Sequence, residues 1–254
     1  MKIFDANSMI GPYVKGRVEV NGVEEFIQLT AEMRLDRTLA YHADARSLNP
    51  IVGNEKLLMI CRAHPSIEPC FILSPHYKYD QGWAAMEKSL TENDIRFVRF
   101  FPKEHGYTLS SWHMTEMLNI AREHNLNVIL SYSMICQGIE EDPYFEELCQ
   151  RYGDVQFILT EAPHTRNMMW YSYLEQYDNV HIEMSINNNW LTYEQTVGLF
   201  GSERLLFGSN MPFNHPGSAI TMLAYANISD DDKSNISYKN LERLLGRHRN
   251  EEHQ

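Results

Sequence analysis

Two glutamates, two arginines and two histidines fall where they could share acid–base work. Glu161 closes the apolar run 155–161, and Glu183 lies within the run 180–185. Glu161 becomes a general base once burial lifts its pKa toward neutrality. His42 and His105 are candidate proton donors, since imidazole titrates near neutral pH. Arg99 and Arg46 suit bidentate capture of a substrate carboxylate. Asn7, Ser131 and Asn210 add neutral hydrogen-bonding groups at the ends of other apolar runs. The same residues support a plainer reading, a buried ion pair of Arg99 with Glu161 or Glu183 that holds the fold together. Residue types leave both readings open.

The elements that position these residues are short and regular. Apolar runs rich in Val, Ile, Leu and Phe occupy residues 2–7, 37–42, 67–74, 95–101, 127–133, 155–161, 180–185 and 204–210. Such runs suit strands buried on both faces. Amphipathic stretches lie between them, at 23–34, 110–125, 144–152 and 193–200. Strand and helix alternating eight times predicts a (β/α)8 barrel over residues 1–254, read as one domain. An open doubly wound sheet is the rival, but the first strand runs into Asn7-Ser8-Met9-Ile10-Gly11 rather than a GxGxxG turn. In a barrel, chemistry sits at the C-terminal strand ends, which is where the polar candidates fall. Alternation within 96–101 places Arg99 either inside the barrel or against the helices. A charge among apolar helices is costly, so Arg99 is expected inside, near Glu161. The segment 101–107 holds Pro102 and Gly106 and reads as a shaped loop, a lid or a connection. Met168–Tyr173 reads as core packing or an oligomer face, Asp230–Asp232 as a helix start and residues 247–254 as a frayed end.

The chain has 254 residues and a formal net charge of -12. That charge argues against a general nucleic-acid or anionic-membrane binder. No apolar run approaches the ~20 residues that span a bilayer, and the N-terminus lacks a signal-like apolar region. The four cysteines, Cys61, Cys70, Cys136 and Cys149, form no CxxC pair. They read as buried free thiols of a cytoplasmic protein, without a cysteine-based zinc site.

Several segments resemble the amidohydrolase-related family of metal-dependent TIM-barrel hydrolases and decarboxylases. Residues 204–213, RLLFGSNMPF, resemble that family's last strand, RxLFGSDxPF. Residues 3–11 resemble its opening DxHxHxG, residues 126–131 and 155–161 its fifth and sixth strands, and 240–246 its closing NAxRLLG. The resemblance implies a barrel and a metal held by histidines and an aspartate. Every one of those positions differs here: they hold Asn7, Met9, Ser131, Glu161 and Asn210. Amide, hydroxyl and thioether groups are poor partners for a divalent cation, and one carboxylate does not replace three imidazoles. The inherited site is therefore expected to hold no metal, and no cofactor is assigned. A relocated divalent site, for instance His42, Glu161 and His105, is the second option. The reading is a hydrolase or C–C/C–O lyase acting on a small carboxylate-bearing molecule, possessing an altered or absent metal site. Its catalytic set is Glu161, His42, His105 and Asn210, and its substrate-binding set is Asn7, Arg46, Arg99, Ser131 and Glu183. The alternative is a catalytically silent barrel that binds a ligand or partner. Homo-oligomer formation is left open.

Overall fold

The computed structural model describes residues 1–18, 20–137, 140–141, 143–187 and 189–246. Eight strands form one parallel sheet: β1 Phe4–Ile10, β2 Arg37–His42, β3 Ile67–Ile72, β4 Phe97–Arg99, β5 Asn127–Ser131, β6 Phe157–Thr160, β7 Val180–Glu183 and β8 Leu205–Leu206. Each pairs with its neighbour in this order. The ends meet through a bridge between Ser8 and Met211 and through Ala6 N–H donating to the Phe207 carbonyl at 2.9 Å. The sheet is thus curled into the expected barrel. The last residues, 247–254, lie outside the described part, so their expected fraying is not addressed.

Helices fill each crossover, as parallel pairing requires. Val23–Glu32, Trp112–Glu123, Pro143–Arg151 and Thr192–Phe200 match the amphipathic stretches closely. Pro50–Ala63, Trp83–Glu92 and Pro216–Tyr225 are additional. The start of the first is written in Asn49-Pro50: the Asn49 side chain accepts from Ile51 N–H at 2.8 Å and Val52 N–H at 3.2 Å. Proline then occupies a position with no hydrogen bond to lose. Ser229 caps Asp230–Ser234 in the same way, by accepting from Asp232 N–H. In Asn167–Gln176 the aromatic segment is mostly core: Trp170, Tyr171 and Tyr173 are buried, and Met168 is exposed.

Alternation sorts side chains into two apolar layers. Val98 and Phe100 face the helices, with Phe71, Val128 and Phe157. Phe97 and Phe101 face the interior, with Phe4, Ile72, Ile129, Ile158 and Leu206. Arg99 shares the inward parity of Phe97 and Phe101. Leu241 and Leu244, in the final helix Asn240–Gly246, belong to the interior layer. Asn240 anchors that helix by donating to the Ser202 and Leu205 carbonyls at 2.7 and 2.8 Å.

Two departures concern β1 and β8. The first strand continues to Ile10 because its register shifts between Asp5 and Ser8. Such a bulge re-aims side chains without ending the pairing. The eighth strand is only two residues long, since Gly208 onward bends over the mouth. Gly208 is required there. A Cβ at this position would lie 2.0 Å from Glu183 Oε1 and 2.4 Å from its Cδ. Gly208→Ala is expected to destabilise the protein by roughly 1–3 kcal/mol, the usual range for overpacking. Gly198→Ala, in a helix with no atom within 4 Å of the added methyl, should be stabilising by up to about 1 kcal/mol. Urea midpoints of the two variants give the comparison.

Candidate active site

Arg99, from the end of β4, is the centre of the mouth. Its side chain is buried, and its two terminal nitrogens serve four acceptors from three other strands. One donates to Asn7 Oδ1 at 2.7 Å. The other donates to Ser131 Oγ at 2.9 Å, Thr160 Oγ1 at 3.0 Å and Glu161 Oε1 at 2.7 Å. The rings of Tyr41 and Phe101 lie 4.9 and 5.2 Å from its central carbon. The expected interior placement beside Glu161 is what the structure shows, and the ion pair of the plainer reading is formed.

Glu161 follows β6 on a left-handed backbone, φ 57°, a conformation costing a non-glycine residue about 1–2 kcal/mol. Its N–H donates to Glu183 Oε2 at 3.2 Å. Its carboxylate remains open to the mouth, with 27% of the side chain exposed against 2% for Arg99. Burial pushes the Glu161 carboxyl up, but the Arg99 guanidinium more than offsets this and holds it below the usual range.

Glu183 behaves in the opposite way. It is fully buried, and no cation is bonded to it. It accepts from Asn7 Nδ2 at 3.0 Å, Ser185 Oγ at 3.0 Å, Ser185 N–H and Glu161 N–H. Burial outweighs these bonds and lifts its pKa to about 7. Asn7 therefore bridges two unlike groups, with its oxygen on the guanidinium and its amide nitrogen on Glu183. Below this network, Asp5 accepts from Ser8 Oγ at 2.7 Å, Ser209 Oγ at 2.5 Å and Ser209 N–H at 2.9 Å.

The structure thus brings Asn7, Arg99, Ser131, Glu161 and Glu183 together. The other candidates stand apart from that network. His42 Nδ1 accepts from Asp44 N–H at 3.1 Å and starts the short helix Ala43–Ser47. It lines a cavity with Val23, Lys56 and Met59, not one with Glu161. His105 lies in the short helix Pro102–His105 and faces the Arg46 carbonyl at 3.2 Å. Arg46 gives its guanidinium to Glu104, at 2.7 and 3.0 Å, and rests on Phe101. Asn210 is half-buried after β8, also left-handed at φ 55°. Thr160 was not among the candidates. Its inward parity one residue before Glu161 was the available signal.

These donors do not fit a divalent metal. Asn7, Ser131 and Glu161, at three of the positions where the family resemblance puts metal ligands, already direct oxygen atoms at one guanidinium. A metal there would compete for those lone pairs and stand beside a buried positive charge. The set His42, Glu161 and His105 is dispersed, and no group of three or more His, Cys, Asp or Glu among the described residues could hold a metal ion. None of the four cysteines is in a disulfide; Cys70 and Cys149 are buried as expected, Cys61 and Cys136 only partly so, and burial raises Cys61 and Cys70 to about 12.

The amidohydrolase family profile matches residues 36–247. The chain belongs to the amidohydrolase family. Solved structures similar to it include 2,6-dihydroxybenzoate decarboxylase from Rhizobium, at 12% identity and TM-score 0.74, covering 96% of this chain and 98% of that one. Another is 5-carboxyvanillate decarboxylase from Sphingomonas paucimobilis, at 10% identity, TM-score 0.74 and coverages of 96% and 98%. A third is a dihydroxybenzoic acid decarboxylase from Polaromonas sp. JS666, solved with bound manganese and an inhibitor, at 11% identity, TM-score 0.75 and 98% of both chains. At these identities the likeness shows the barrel fold. No curated protein matches the sequence. Among the described residues no helix is long and apolar enough to cross a membrane.

Two predictions follow from this geometry. Glu183 holds its proton in the folded state up to about pH 7, whereas in the unfolded chain it ionises near the ordinary glutamate value of 4.5. Stability should therefore be fullest below about pH 4.5 with respect to this group. It should fall as pH rises toward 7, by on the order of 3 kcal/mol. Glu183→Gln should flatten that part of the urea-midpoint profile between pH 4.5 and 7. Second, excess Zn²⁺ or Mn²⁺ should leave the wild-type Tm unchanged, because Arg99 holds the acceptors. Calorimetric scans with and without metal test this, and a dose-dependent rise in Tm is the contrary result.

Proposed function

We propose that this member of the amidohydrolase family is an enzyme that works without a metal ion, on a small carboxylate-bearing molecule at the barrel mouth. The reaction class is hydrolysis or C–C/C–O cleavage. The observation that carries the reading is the Arg99–Glu161 pair: a fixed cation bound to residues at the family's metal positions, with its partner carboxylate still open to the mouth. Glu161 is the group that accepts a proton, from water or from a substrate hydroxyl. Held ionised by Arg99, it is a weak base but is in the accepting form throughout neutral pH. Arg46 and Arg99 both rest against the Phe101 ring, and the Arg46 charge reaches Glu161. It draws a substrate carboxylate toward the mouth, and Asn210 at the rim gives it a neutral hydrogen-bonding partner. Carboxylate substrates of the similar decarboxylases support this substrate class.

A second reading, a silent barrel, is favoured by one specific observation. Both terminal nitrogens of Arg99 already face protein acceptors. The test is a panel of hydroxybenzoates and short aliphatic carboxylates, followed by NMR for product, with chelator-treated protein. The expected result is chelator-resistant turnover, flat in pH through neutrality, that Glu161→Gln lowers by about 100-fold or more. Saturable ligand binding at the mouth without turnover supports the silent barrel. Turnover abolished by chelator and restored by metal overturns both.

A further inference from the structure

A cleft of about 530 Å³ opens beside the loops that follow β3 and β4. Its lining includes His76, Tyr79, Asp80, His105, Tyr107 and His113. None of these belongs to the Arg99–Glu161 network, and the proposed chemistry uses none of them. The volume is that of an ordinary small-molecule site.

Charge separates this cleft from the mouth. Among the described residues no Lys or Arg lines it, and Asp80 is the carboxylate in its wall. Asp80 is exposed, and among the described residues no basic side chain pairs with it. Lys78 is close in sequence, but its ammonium lies 2.8 Å from Glu116 and 4.0 Å from the centre of the Trp112 ring. His105 adds no charge at neutral pH, because burial, with His76 nearby, pushes its pKa down to about 4. An anion in the cleft would meet an unpaired carboxylate, whereas a cation would meet its counter-ion. The net charge of -12 draws cations in the same direction.

The rest of the wall is aromatic and reachable. Tyr79 is 68% exposed, and His76 is exposed as well. His76 Nδ1 meets Ser74 Oγ at 2.8 Å, which fixes that ring. His76 meets His105 edge to face at 5.2 Å, and Tyr79 meets His113 in the same manner at 5.8 Å. In an edge-to-face pair the edge covers one ring face, so each pair leaves other faces uncovered. Such faces are electron-rich and attract a cation within about 6 Å. The aromatic cluster already holds one ammonium: Trp112 carries Lys78 and stacks on His113, with ring centres 3.7 Å apart. Ring faces make weak hydrogen-bond acceptors. The cation they suit best is one whose charge is spread over carbon-bound hydrogens.

We propose that this cleft is a second binding site, for an alkylated ammonium ion. Its methyl groups lie against Tyr79, His76 and His113, and Asp80 balances its charge. The site is independent of the mouth.

The test titrates the full chain at low salt with choline and, in parallel, with its uncharged carbon isostere, 3,3-dimethylbutanol, followed by calorimetry. The expected result is one saturable choline site, at least about tenfold tighter than the alcohol. Asp80→Asn should weaken choline about threefold and leave the alcohol unaffected. Tyr79→Leu keeps apolar bulk but removes the ring, and should weaken choline about fivefold. Both side chains are exposed, so neither variant should lower Tm. Glu161→Gln should bind choline as the wild type does. The proposal is overturned by equal or tighter binding of the alcohol, by no saturable choline binding, or by unchanged choline affinity in Asp80→Asn or Tyr79→Leu. Loss of binding in Glu161→Gln also overturns it, because that places the cation at the mouth carboxylate.

Discussion

The upper half of this barrel is organised by the need to solvate one buried guanidinium. Removing an arginine from water is expensive unless its donors are matched and its charge is balanced. Arg99 draws acceptors from β1, β5 and the end of β6, and those demands propagate. Asn7 must present its oxygen inward, which the register shift in β1 permits. Its amide nitrogen is then left to face Glu183. Glu161 must turn back toward the axis, which a left-handed residue after β6 achieves. Glu183 fills the space that remains, and Gly208 leaves room for it.

A metal ion and a guanidinium solve a similar electrostatic problem by different means. Both gather oxygen atoms from separate strands around positive charge. A metal with an open position can bind and activate a water or a substrate oxygen. A guanidinium donates protons in a plane and has no exchangeable coordination position. What the mouth keeps is a fixed field and one ionised carboxylate with access to solvent. On the proposed reading its chemistry is confined to proton transfer and charge stabilisation. On that reading Glu161, more than the deeper Glu183, is the residue on which activity would depend. Glu183 has the pKa better suited to proton exchange but no route to a substrate.

The barrel was legible because both-face burial writes uninterrupted apolar strands, and six of the eight runs share or nearly share the observed boundaries. β1 was under-read because polar Asn7 and Ser8 look like a strand end, whereas a bulge carries the pairing past them. Arg99 beside Glu161 was legible from parity and the cost of a charge among helices. The positions of His42 and His105 were not. His42 is the last residue of β2 and accepts from Asp44 N–H, while His105 lies in a short helix beyond β4 and faces the Arg46 carbonyl. Such local bonds depend on backbone paths that periodicity does not encode. Arg46 was legible as a charge but not in its partner, since Glu104 lies 58 residues away.

Closure of the barrel is separable from the cation. In the pattern the family resemblance implies, metal ligands on the first, fifth, sixth and eighth strands would tie the two ends of the sheet together. Here Arg99 links β4 with β1, β5 and the end of β6, but it has no hydrogen bond to the β8 side. That seam is held by Asp5, which binds the Ser209 N–H and hydroxyl directly, and by the Ser8–Met211 bridge. Burial raises the Asp5 carboxyl, while four hydrogen bonds pull it down and incompletely offset that effect. A seam built from one carboxylate and two serines does not need a metal to close. The ligand positions could therefore change without opening the barrel, and the residue at the eighth-strand position, Asn210, was left free to adopt a left-handed turn at the rim.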